Sequence, residues 1–146
     1  MIPQISQAPG LVQLVLDFLQ SLKSNGFTGD MDTSYAARLT MATDNSIYQL
    51  LPDAVLFPRS TPDVALIARV ASEERYRSLV FTPRGGGTGT NGQSLNRGIV
   101  VDMSRHMNRI LEINPEEGWV RVEAGVIKDQ LNQYLKPFGY FFAPEL

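Results

Sequence analysis

The feature that most constrains this chain is a glycine-rich loop set between two strand-like runs. It reads Thr82-Pro83-Arg84-Gly85-Gly86-Gly87-Thr88-Gly89-Thr90-Asn91-Gly92, preceded by a strand over 79–82 and followed by Ile99-Val100-Val101-Asp102. Four glycines at 85, 86, 87 and 89 permit positive φ and let successive backbone N–H groups converge on an anion. A phosphate-binding nest is the natural reading; a flexible surface turn uses the same residue types. The flanking sequence has to decide between them.

Three familiar phosphate loops fail against it. A Walker A loop needs a lysine after its spacer to neutralise the β and γ phosphates, and no lysine occurs between Lys23 and Lys128. The run Gly87-Thr88-Gly89-Thr90-Asn91-Gly92 spells G-x-G-x-x-G, but the dinucleotide version opens a crossover helix. Here only residues 93–97 precede Gly98 and the next strand, too few for that helix. The kinase version has a valine where Ser94 stands, and a strand lysine of the V-A-I-K type, which does not follow.

Composition narrows the chemistry further. The 146 residues contain no cysteine and one histidine, His106, which excludes disulfides, thiolate catalysis, cysteine-ligated zinc or iron–sulfur centres and a histidine cluster within the segment. Lys plus Arg number 13 against 15 Asp plus Glu, a net charge of -2, which argues against duplex nucleic acid or an anionic membrane as main partner. Hydrophobic content of 43% suffices for a core in one modest domain. The first apolar run, 11–22, is broken by Gln13, Asp17, Gln20 and Ser21, so neither a signal peptide nor a membrane span is expected, and a cytoplasmic location is.

Hydrophobic periodicity places the elements. Leu11, Val15, Phe18, Leu19 and Leu22 recur at helical spacing and predict a helix over 11–25 closed by Gly26. Residues 27–46 read as a polar connection with one helical turn over 35–39. A strand over 54–57 is followed by a helix capped by Thr61 with Pro62 at its first position, and Val64, Ile67, Ala68 and Ala71 form its apolar stripe. With the strand over 79–82 this makes a βαβ unit. Residues 110–113 and 119–123 predict a hairpin. Ile127, Leu131, Tyr134 and Leu135 predict a last helix ended by Pro137 and Gly139, with Tyr140, Phe141 and Phe142 as an apolar edge.

A strand, a P-R-G-G-G-T-G loop and a second strand ending in aspartate resemble the FAD-linked oxidases of the vanillyl-alcohol oxidase and p-cresol methylhydroxylase type. The resemblance runs from Tyr48 to Pro144. Pro52 with 54–58 resembles the opening strand, 62–71 its helix, and 83–89 the loop around the FAD pyrophosphate. Ile99-Val100-Val101-Asp102-Met103-Ser104 resembles the strand that follows, and Val122-Glu123-Ala124-Gly125-Val126 the "V-x-A-G-V" turn. Thr43-Asp44-Asn45-Ser46-Ile47-Tyr48 resembles the "T-D-x-S-x-Y" entry of the 2-hydroxy-acid branch. Within that branch the sequence is similar to the front of large bacterial D-2-hydroxyglutarate or D-lactate dehydrogenases fused to an iron–sulfur part.

The resemblance implies an α+β fold: residues 48–146 form the first lobe of a two-lobed FAD-binding domain, a βαβ unit plus a small mixed sheet with flanking helices. Residues 1–47 supply an N-terminal helix and a polar connection. The second lobe, the substrate domain and any iron–sulfur cluster are expected beyond Leu146. The implied cofactor is FAD, bound by Pro83, Arg84, Gly85, Gly86, Gly87, Thr88, Gly89, Thr90, Asn91, Gly92 and Pro144. The implied activity is hydride transfer from a D-2-hydroxy acid to flavin, with that acid and an electron acceptor as partners of the full-length protein. No catalytic or metal-ligating residue is assigned within the chain. The alternative is a non-catalytic interaction module with a phosphate-binding glycine loop. The isolated chain is expected to bind FAD weakly or not at all and to self-associate through 140–142.

Other residues carry blander expectations. Arg84 either contacts phosphate or forms a surface ion pair. Asp102 suits capping of the turn that begins at Ser104. His106, lacking an orienting partner in the sequence, is read as a partly exposed histidine with no chemistry. Tyr48 is read as core packing with a tethered hydroxyl, with an approach to the flavin as the other possibility, and Trp119 as hairpin packing.

Overall fold

The structure, a computed structural model, describes residues 13–144. Leu11, where the periodicity starts the first helix, and the terminal Glu145 and Leu146 lie outside the described residues. Helix α1 (Gln13–Ser24) buries Val15, Phe18, Leu19 and Leu22 along one stripe and leads into Gly26 at φ 88°. There follow β1 (Asp30–Asp32), α2 (Tyr35–Thr40), β2 (Ala54–Phe57), α3 (Thr61–Ala71), β3 (Phe81–Arg84), β4 (Ile99–Asp102), the hairpin β5 (Ile110–Asn114) with β6 (Trp119–Val122), and α4 (Lys128–Leu135).

The fold is mixed α+β. A four-stranded sheet has the order β1-β2-β4-β3, and β5-β6 forms a separate two-stranded sheet. β4 lies parallel to both β2 and β3, with Val100 opposite Val55 and Thr82. β2 and β4 are buried at every position, which is why both read as continuous apolar runs rather than alternating ones. One face of the sheet carries α1 and α3: Phe18 and Leu22 of α1, Ile67 and Val70 of α3, Leu56, Ile99 and Tyr76 form the core. The Tyr76 ring meets Phe18 edge-on at 5.1 Å, and its hydroxyl donates to the Asp17 carbonyl at 3.1 Å, so the one polar atom of this buried ring is satisfied.

Four features differ from the expectations. β1 is a strand inside the polar connection, paired antiparallel with β2. The expected βαβ unit, β2-α3-β3, has β4 inserted between its two strands. β3 begins at Phe81 instead of Leu79, because the Leu79 N–H is still held by the Tyr76 carbonyl at 2.9 Å, and it runs through Pro83 and Arg84, which the sequence reading had placed in the loop. Pro83 is tolerated there because β3 is an edge strand. Finally, the α3 cap is Ser60, not Thr61: Ser60 is extended, its Oγ accepts from Asp63 N–H at 3.4 Å, and Thr61 is already helical. Ser60→Ala is therefore expected to cost about 1 kcal/mol and Thr61→Ala clearly less, a difference that urea unfolding of the two variants reads directly.

The strands of the parallel trio point their carboxyl ends the same way. Arg84 pairs with Asp102 at that end, and residues 85–98 cross from β3 to β4 as bends and turns with no helix. The hairpin then returns the chain to the same place, where Gly125 N–H donates to the Met107 carbonyl at 2.8 Å. The glycine loop and the start of α4 are thereby brought side by side at the carboxyl end of the sheet, the usual ligand position in open α/β sheets.

Candidate functional site

A cleft of about 580 Å³ opens between these two segments. It is lined by Pro83, Gly85, Gly86, Gly87, Thr88 and Gly89 on one side, by Gln93 and Ser94 at the loop's far end, and by Ala124, Gly125, Val126, Ile127, Lys128 and Asp129 on the other. That volume lies in the ordinary range for small-molecule sites.

Its chemistry is set by backbone. Among the described residues, none of the N–H groups of residues 85–90 donates to a protein acceptor; the first loop amide that does is Asn91, to Gln93 Oε1 at 2.9 Å. On the opposite wall Ile127 caps α4 without a side-chain hydrogen bond, and the first helical N–H to bond inward is Leu131, to the Ile127 carbonyl at 3.0 Å. The cleft is therefore lined on both sides by residues whose amides are unpaired, at the positive end of a helix. The two charged side chains of the lining, Lys128 and Asp129, are opposite in sign, so anion preference rests on the amides.

The glycines differ in what they permit. Gly87 has φ 68°, the left-handed region, and a Cβ there would run into the Arg84 guanidinium. A Cβ on Gly85 would meet nothing within 4 Å, and on Gly86 only Thr88 Cγ2 at 3.6 Å. Side chains at 85 and 86 would thus leave the protein's own packing undisturbed. A pyrophosphate, with about two negative charges to solvate through backbone N–H groups, fits this cradle.

The remaining loop residues are placed otherwise. Thr90, Asn91 and Gly92 lie outside the lining; the Gly92 carbonyl accepts from Leu95 N–H at 3.0 Å, and the Tyr48 ring lies against Gly92. Pro144 is exposed and outside the lining. Arg84 lies outside the lining and, among the described residues, forms no ion pair. Its Nη2 donates to the Thr43 carbonyl at 2.9 Å and its Nη1 to Ser94 Oγ at 3.3 Å. Gln93, Ser94 and the Ala124 to Asp129 wall were not predicted; Lys128 and Asp129 carried no signal beyond lying just past the V-x-A-G-V turn.

Asp102 behaves as expected, accepting from Ser104 Oγ at 2.8 Å and Arg105 N–H at 3.1 Å. Tyr48 does not: it is 54% exposed, held against Gly92 because residues 43–49 close as a loop by the Thr43–Gln49 bridge. His106 does have an orienting partner, Asp30, with Nε2 and Oδ2 2.6 Å apart, and Asp30 also accepts from Arg59 at 3.2 Å. Hydrogen bonds from His106 and then Arg59 hold the Asp30 carboxyl below its usual range. β1, absent from the sequence reading, is what brings Asp30 there. None of the three lines the cleft. Trp119 lies on the hairpin and donates Nε1–H to Glu117 at 2.6 Å.

Among the described residues no group of three or more His, Cys, Asp or Glu is placed to hold a metal ion, and no helix is long and apolar enough to cross a membrane.

Comparison with known proteins gives this cleft its context. Over its whole length the chain is 86% identical to D-2-hydroxyglutarate dehydrogenase of Escherichia coli (strain K12) and 80% identical to the protein of that name from Pantoea ananatis (strain AJ13355), spanning 14% of the length of each. A solved structure of alkyldihydroxyacetonephosphate synthase superposes with a TM-score of 0.72 at 22% identity, over 91% of this chain and 27% of that one, a likeness of fold. A family model described as FAD binding domain matches residues 52–146. That match takes in β2, the glycine loop and both walls of the cleft, and by it the chain belongs to the FAD binding domain family.

Proposed function

We propose that this chain supplies the pyrophosphate-binding lobe of a flavin-dependent dehydrogenase that oxidises a D-2-hydroxy acid. The observation that carries the reading is that both walls of one cleft, the glycine loop and the α4 N-terminus, are built of residues with unpaired amides. In it Gly85, Gly86, Gly87, Thr88 and Gly89 solvate the phosphates through N–H groups, and the start of α4 faces them from the other wall. FAD, when bound, supplies the redox chemistry by accepting the hydride from the substrate's α-carbon. The chain's own task is to fix the dinucleotide in place and to balance its charge without a lysine in the loop. The names of the relatives at 86% and 80% identity support D-2-hydroxyglutarate as the acid.

Residues 48–146 form this lobe, and 1–47 supply the helix and connection that enter it. An iron–sulfur cluster of the full-length protein would be ligated outside this cysteine-free segment, and the electron acceptor is met there too, in the cytoplasm. The 146 residues alone hold FAD weakly or not at all and self-associate through Tyr140, Phe141 and Phe142, of which Phe141 is 72% exposed.

The test is FAD titration of the flavin-stripped full-length protein, followed by flavin fluorescence and absorbance, beside the variant Gly85→Asp. Because the space at Gly85 is open, the variant is expected to keep its urea midpoint. A carboxylate placed against the phosphates is expected to weaken FAD roughly a hundredfold or more. Equal FAD binding by the two proteins, or none by the unaltered one, would remove the reading.

A further inference from the structure

The guanidinium of Arg84 is the point at which three separate pieces of the chain meet. It stands at the end of β3, one residue before the loop, and is forked: one arm donates to the Thr43 carbonyl at 2.9 Å, the other to Ser94 Oγ at 3.3 Å. Ser94, 9% exposed, passes the connection on by donating its own hydroxyl proton to Asp44 Oδ2 at 3.1 Å. Asp44 in turn accepts from Ser46 N–H at 2.9 Å, which closes the 43–46 turn. Gly87, at φ 68°, rests directly on the guanidinium.

These contacts span both ends of the loop. Residues 85–90 have no amide hydrogen bond of their own to the protein among the described residues; the bonds within the loop begin only at Asn91 and Gly92. Beneath that stretch lie the Arg84 fork against Thr43 and Ser94 and Gly87 close on the fork. A lysine ammonium keeps the charge but lacks the planar two-armed donor set.

We propose that Arg84 is a positioning residue for the glycine loop: it braces the loop against Thr43 and Ser94 so that the amides of residues 85–89 stay aimed into the cleft, and it does not itself contact the phosphates. The inference rests on the FAD reading above. Ser94 is its second member and Asp44 anchors Ser94.

The experiment is equilibrium FAD titration of the flavin-stripped full-length protein and of Arg84→Ala, Arg84→Lys and Ser94→Ala, each with its urea midpoint. Arg84→Ala is expected to weaken FAD roughly ten- to hundredfold, Arg84→Lys to recover only a minor part of that loss, and Ser94→Ala to fall between Arg84→Ala and the unaltered protein. All are expected to keep midpoints near the original, since the brace lies outside the core. Full recovery in Arg84→Lys would show that charge and not the fork matters, and would overturn the inference. Unchanged FAD affinity in Arg84→Ala would do the same while leaving the FAD reading intact. If Arg84→Ala does not fold, Arg84→Lys and Ser94→Ala decide alone, both having to lose affinity. Failure of the unaltered protein to bind FAD would overturn the FAD reading and the brace with it.

Discussion

Gly125→Ala is expected to lower stability by about 3 kcal/mol and to abolish FAD uptake, although it adds a single methyl group. A Cβ at Gly125 would collide with the Met103 carbonyl and with Ser104 Cα at 2.7 Å. These are backbone atoms, so no side-chain rotation relieves the overlap. Gly125 cannot retreat either, because its N–H is held by the Met107 carbonyl at 2.8 Å. The strain has to be taken up by moving the 103–107 turn away from the 124–129 wall, and the cleft is built on that spacing. φ is not the constraint at Gly125, which is not among the positive-φ glycines; close approach of two backbones is. Gly85→Ala is the natural control, with open space at its Cβ and an expected change within about 0.5 kcal/mol. Urea unfolding and FAD titration of the two variants separate a glycine required by packing from one required by the ligand.

The elements legible in the sequence are those whose side chains report burial. β2 and β4 are buried on both faces and read as unbroken apolar runs; α1 and α3 lay one stripe on the sheet and read as helical periods. β1 is different. Asp30-Met31-Asp32 joins the sheet through main-chain hydrogen bonds to β2, and only Met31 packs against the core, so the strand leaves no apolar pattern. The α3 cap was misplaced by one residue because Ser60 and Thr61 are both good caps, and composition does not say which of the two is extended.

The site was legible to the same degree and for the same reason. Glycine density announces a loop with free amides, and the loop does line the cleft. What it does not announce is the opposite wall, which arrives through the β5-β6 hairpin more than thirty residues later, or the Arg84 fork, whose partner Thr43 lies 41 residues earlier. The fork is a role that neither reading of Arg84, phosphate contact or surface ion pair, contained. His106 shows the same limit, since its partner Asp30 is 76 residues away on the strand that the pattern missed.

Asp63→Asn is expected to cost about 3 kcal/mol at neutral pH and to remove part of the protein's acid sensitivity. The Asp63 carboxylate, only 3% exposed, accepts from Thr28 N–H at 2.9 Å, Thr28 Oγ1 at 2.8 Å and Arg59 N–H at 2.9 Å. It thereby ties the α1–β1 connection to the start of α3, where a negative charge also suits the helix dipole. Burial pushes its carboxyl up, the largest single influence, but the hydrogen bonds from Thr28 and Arg59 and the Arg59 charge together outweigh it and hold the group below its usual value of 3.8. A folded-state value below the unfolded one means that the unfolded chain binds the proton first as pH falls. The stabilisation is therefore complete above the unfolded carboxyl range and declines from about pH 5 downward, through 3.8 and on to the lower native value. An asparagine can accept from Thr28 but also presents N–H donors where only acceptors are wanted, at every pH. The difference in unfolding free energy between the unaltered protein and Asp63→Asn, followed by urea unfolding from pH 7 to pH 3, is expected to shrink as the pH falls. Because Asp30, Asp32, Asp44 and Glu123 are also held below their usual values, both proteins lose stability over that range, and only the narrowing gap belongs to Asp63. A gap that stays constant down to pH 3 would mean that the three hydrogen bonds hold the neutral acid as well as the carboxylate, and that Asp63 acts through shape and not through charge.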